Sequence, residues 1–135
     1  MFVVNMSVTN YPPDGGPYSS HDFPNPSWID IEQQIRTMHR FERPMIYLSK
    51  NLEVDGCDVL SLCGGEGLYH IQFADSDGNW FQAVDPIGSD EAIQIWTSDQ
   101  GFEAPRSSLW EIDDVLKMTR WYVENGTPHP EFLWD

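Results

Sequence analysis

The sequence predicts an α+β fold, an antiparallel β-meander sheet of about five to seven strands with two α-helices packed on one face. Three observations lead there. Apolar residues recur at helical spacing in two separated stretches, residues 27–40 and 112–126. Between them the period falls to two, in runs of five to eight residues. Those runs are joined by short Gly/Asp/Asn turns, too short for crossover helices, so successive strands pair antiparallel. At 135 residues the chain reads as a single domain, 1–135, and its 40% hydrophobic content supplies the apolar payload that a disordered chain lacks.

Taken in order, FVVNMSVT (2–9) reads as a first strand, and YPPDGGPYSSHDFPNP (11–26) as a Pro/Gly/Ser loop. Ser27 offers an N-cap, with Asp30 three residues on as a capping-box partner. Trp28, Ile31, Ile35 and Met38 then form the apolar stripe of a helix over 27–40 that ends before Pro44. The alternating runs are MIYLS (45–49), CDVLSLC (57–63), GLYHIQFA (67–74), WFQAV (80–84) and EAIQIWT (91–97). After Pro105, Ile112, Val115, Leu116, Met118 and Tyr122 mark a second helix stopped by Gly126. In the tail, Phe132 and Trp134 alternate and are expected to tuck a last extended segment against the core.

Charge is the most informative quantity. The chain carries 22 acids against seven bases, a net −15, and residues 51–105 contain no Lys or Arg. That window holds eleven acids: Glu53, Asp55, Asp58, Glu66, Asp75, Asp77, Asp85, Asp90, Glu91, Asp99 and Glu103. Such a field repels phosphate backbones and anionic lipid and draws cationic partners, so neither nucleic acid nor a membrane is expected as a ligand. With no apolar run of about 18 residues and no basic, apolar leader at the N-terminus, the expected compartment is the cytoplasm. Cys57 and Cys63 lie about 20 Å apart if CDVLSLC is one strand, too far for a disulfide, and read as buried thiols in a reducing compartment.

The stretch CGGEGLYHIQFADSDGNWF (63–81) suggests several chemistries. GGEG resembles a phosphate loop, but such loops feed a helix N-terminus and here a strand follows, so a turn is expected. DSDGN matches only the first half of a calcium loop, and position 12 counted from Asp75 is Pro86 where a bidentate Glu belongs; a hairpin turn is expected instead. Two carboxylates about 5 to 9 Å apart would make a small carboxylate-dependent hydrolase, the rival class, but 22 acids offer many accidental pairs. His21, His39, His70 and His129 show no zinc spacing, and His70, opposite the Tyr69, Ile71, Phe73 face, reads as a surface or satisfied residue. No catalytic residue, metal site or cofactor is expected.

If the meander alternates throughout, the turns at 53–56, 75–78 and 98–103 share one end of the sheet. That end would gather Glu53, Asp55, Asp75, Asp77, Asp99 and Glu103, with Trp80 and Trp96 as candidate aromatic anchors for a partner.

PSW opening the first helix, GGEGLYHIQF followed by a short turn and WFQAVDP, a sheet ending near Pro105, and the closing ENGTPHPEFLWD carry a resemblance. Over about residues 26–135 the chain resembles the first of the numbered immunity-protein families of bacterial polymorphic toxin systems. The resemblance implies an α+β protein that binds and silences a cognate toxin, such as a nucleic-acid deaminase or nuclease. It brings no functional residue with it. The expectation is therefore a non-enzymatic inhibitor that binds a basic toxin surface through its acids; a general acidic mimic of nucleic acid is a further alternative.

Overall fold

The structure, a computed structural model, describes residues 2–12, 14, 16–39, 41–50, 58–96 and 101–135. Its ten described strands are β1 (Asn5–Asn10), β2 (Ser19–Pro24), β3 (Met45–Ser49), β4 (Val59–Gly65), β5 (Leu68–Ala74), β6 (Trp80–Val84), β7 (Ala92–Trp96), β8 (Gly101–Pro105), β9 (Leu109–Trp110) and β10 (Leu133–Trp134). Helices α1 (Trp28–Arg36) and α2 (Ile112–Asn125) complete the α+β architecture. The main sheet runs β10-β6-β5-β4-β3-β1-β2, with β9 added to β5, and all its pairs are antiparallel. The sheet is larger than the five to seven strands expected.

Alternation along the strands assigns the two faces. Ile46, Leu48, Leu60, Leu62, Tyr69, Ile71 and Phe73 point to one side, where Ile31 and Ile35 of α1 and Val115, Met118, Tyr122 and Val123 of α2 complete one buried cluster. Both helices therefore cover the same face. Ser27 caps α1 through a full capping box: its hydroxyl accepts from Asp30 N (3.2 Å) while Asp30 Oδ2 accepts from Ser27 N (3.0 Å). Gly126 ends α2 in the left-handed region at φ 76°. The tail packs as expected: β10 pairs with β6, Trp134 donates to His129 O (2.9 Å), and Phe132 meets Trp110 edge-on at 5.2 Å.

Three elements differ from expectation. The loop over 11–26 contains strand β2, which pairs with β1 along its whole length; SSHDFP is polar because it is an edge strand with only Phe23 packed on the core. Helix α1 stops at Arg36, four residues early, and Met38 reaches the core from the irregular chain beyond it. The meander itself covers only β3 to β6. β7 does not continue it but pairs with β8 as a separate two-stranded ribbon. The ribbon packs Ile95 and Ala104 on Cys63 and Leu109, with Met45 and Leu68 beside them, so it lies on the face of the sheet opposite the helices.

Candidate functional site

On that second face the cross-strand register aligns side chains in rows. Tyr47, Ser61, Gln72 and Gln82 form one row across β3, β4, β5 and β6, and Met45, Cys63 and His70 form the next. Phe102 of β8 overhangs this floor, its ring edge-on to His70 at 6.1 Å. Trp80, 60% exposed, closes the far end. Together they enclose a groove of about 280 Å³ that the ribbon leaves uncovered. Aromatic walls with a few convergent polar groups are the usual make-up of a recognition pocket.

The polar groups of the floor are neutral. His70 donates from Nε2 to Gln82 Oε1 at 2.9 Å. Burial pushes its pKa below the ordinary histidine value, the Gln82 bond opposing, so the ring is an uncharged, satisfied residue at neutral pH. The Cys63 thiol is pushed up to about 12 by burial, with the backbone bond of His70 opposing. It is therefore a packing residue with no thiolate to react. Iodoacetamide at pH 8 is expected to leave Cys63 unmodified in the native protein and to modify it in urea, read by site-resolved mass spectrometry; native labelling at the unfolded rate would contradict its burial.

The two turns of the 63–81 stretch resolve clearly. Glu66 (φ 56°) and Gly67 (φ 108°) are the two central residues of the β4–β5 hairpin, so GGEG is a tight turn of primed type. In DSDGN, Asp75 Oδ1 accepts from Asp77 N (3.0 Å) and Asn79 N (2.9 Å), Oδ2 accepts from Asn79 Nδ2 (3.3 Å), and Gly78 has φ 86°. Asp75 is thus the organiser of the β5–β6 turn. Asp75→Ala is expected to cost about 1 to 2 kcal/mol in urea unfolding, by analogy with losing a capping side chain; no loss would contradict that role.

Of the acids expected to act together, Glu53, Asp55 and Asp99 lie outside the described residues, as does Cys57. Ser49, Val59, Ala74 and Trp80 align at one end of the sheet, so the connection after β3 and the turn after β5 do leave from the same end. Asp75, Asp77 and Trp80 meet there. The ribbon breaks the expected arrangement. Trp96 meets Phe41 in a tilted ring contact at 4.9 Å and lines a hollow with Gly64, Gly65, Glu66 and Leu68, at the other end of β5 from Trp80 and about 20 Å away along that strand. Glu103 projects from β8 opposite Gln94, on the outward side of the ribbon.

Bases do little to neutralise this half of the molecule. Among the described residues Arg36, Lys117 and Arg120 pair with Glu32, Glu131 and Glu124, and Lys50 pairs with Asp58 at 2.6 Å. Arg43 and Arg106 donate to the carbonyls of Thr37 and Leu109. His39 Nε2 sits 2.9 Å from Glu66. Asp77, Asp85, Asp90, Glu91 and Glu103 have no ion-pair partner among the described residues. No group of metal-ligating side chains and no helix long and apolar enough to cross a membrane occurs there either. The groove residues Tyr47, Gln72, Gln82 and Phe102 were not singled out from sequence; the alternation of polar residues opposite the core face of β5 and β6 is the signal that could have marked Gln72 and Gln82.

No family model and no curated protein matches the chain. Among solved structures it is similar to the crystal structure of a hypothetical protein from Neisseria gonorrhoeae, 14% identical, covering 95% of this chain and 92% of that one with a TM-score of 0.64. At that identity the likeness shows the fold alone.

Proposed function

We propose that this protein is an immunity protein, a non-catalytic cytoplasmic inhibitor that binds and neutralises a cognate bacterial toxin through its acidic half. The observation that carries the reading is the absence of any Lys or Arg from 51 to 105 among eleven acids. Like charge concentrated in one half opposes folding, and a partner of opposite charge offsets that cost. A toxin acting on DNA or RNA, a deaminase or a nuclease, has a basic substrate groove of the required sign. The resemblance of GGEGLYHIQF, WFQAVDP and ENGTPHPEFLWD to the immunity family supports the same reading. The free sheet face, with Asp77 and Trp80 at its edge, supports a surface built for protein contact, since exposed Trp is a common interface anchor.

The test is co-expression with the toxin domain encoded beside this gene. Restored growth of toxin-expressing cells and co-elution of the two chains as one complex are the expected results. A toxin that kills equally in its presence and elutes separately would overturn the proposal.

A further inference from the structure

We propose that the groove between the β7–β8 ribbon and the free sheet face receives an arginine side chain from the protein partner. The identity of that partner as a toxin rests on the preceding reading; the chemistry of the groove does not. Three of the exposed large apolar side chains, Tyr47, Trp80 and Phe102, line this one cavity of about 280 Å³. Their ring faces are suited to stacking a flat, weakly hydrated cation.

The floor narrows the choice of occupant. Gln72, Ser61 and the Tyr47 hydroxyl supply acceptors, and a purely aliphatic side chain would desolvate them without replacing their hydrogen bonds. A carboxylate would find no Lys or Arg in the lining and would enter a chain of net charge −15. An ammonium has donors but no plane to stack. A guanidinium has both, with five N–H donors on a flat frame. The neutral His70, held by Gln82, leaves no resident cation to compete. The base-free lining and the net charge of −15 make the site electrostatically complementary to arginine.

The probe is the blocked tripeptide acetyl-Gly-Arg-Gly-amide, with citrulline and norleucine counterparts, titrated into the full ¹⁵N-labelled chain. The arginine peptide is expected to give saturable shifts centred on the Trp80 indole N–H and the side-chain amides of Gln72 and Gln82. Binding should weaken roughly threefold or more with citrulline, which keeps the shape and loses the charge, and by a similar factor in Trp80→Ala. Trp80 is exposed enough that its loss leaves the fold intact. Gln72→Glu adds a carboxylate to the floor and should tighten the arginine peptide severalfold. Equal binding of all three peptides, shifts centred elsewhere, no saturable binding, or indifference to Gln72→Glu would each overturn the proposal. No toxin is needed, so a failure here leaves the immunity reading standing, and a chain that binds the peptide but protects no cell loses that reading and keeps the groove.

Discussion

Gly64→Ala is expected to destabilise the protein by about 3 kcal/mol or more, enough to unfold a marginal domain. Gly64 has φ +111°, and a Cβ there would stand 2.5 Å from the Leu68 carbonyl oxygen, 3.2 Å from Tyr69 Cα and inside the ladder of the central hairpin. Backbone cannot move aside as a flexible side chain can. The cost therefore adds a steric clash to the conformational penalty of a positive φ, itself about 1 to 2 kcal/mol. Gly78 separates the two effects. It has φ +86°, and a Cβ added there would meet nothing within 4 Å, so Gly78→Ala should cost only the conformational part, about 1 kcal/mol. Urea titrations of both variants would decide; Gly64→Ala within about 1 kcal/mol of Gly78→Ala would mean that the turn is not packed as described.

The second large effect concerns binding. Reversing Asp77 and Glu103 to Lys is expected to slow association with the proposed basic toxin partner about tenfold or more at low salt. Reversing Glu32 and Glu124, which changes net charge equally but sits on the helices and breaks only exposed ion pairs, should have a much smaller effect. Stopped-flow rates would show it, and equal slowing by the two pairs would mean that the total charge steers the partner and these two acids do not. Asp75 is left out of the comparison because its carboxylate holds the β5–β6 turn, and its reversal would mix folding with binding.

What could be read in the sequence was local. Ser27 and Asp30 announced the start of α1, Gly126 the end of α2, and Asp75 to Gly78 a hairpin, because each signal is a side chain or glycine acting on its own few residues. Strand β2 was hidden because an edge strand needs little apolar surface, and its partner β1 decides its conformation. The β7–β8 ribbon was hidden for a different reason. EAIQIWT has the alternation of any strand, and nothing in it says whether it extends the meander or folds back over the sheet; Ile95 and Ala104 finding Cys63 and Leu109 is a tertiary event. The site divided in the same way. Its charge was visible in the composition of 51–105, whereas the groove depends on a register that brings Tyr47, Ser61, Gln72 and Gln82 into one row from four separate strands.

The central claim is that uncompensated negative charge on this half of the chain draws in a basic protein partner. The most direct measurement is the association rate of the purified toxin and this protein over ionic strengths from about 0.02 to 0.5 M, across which the screening length contracts several-fold. The predicted result is a fall of one to two orders of magnitude in the association rate with a much smaller change in dissociation. An association rate that stays level across that range would contradict the claim.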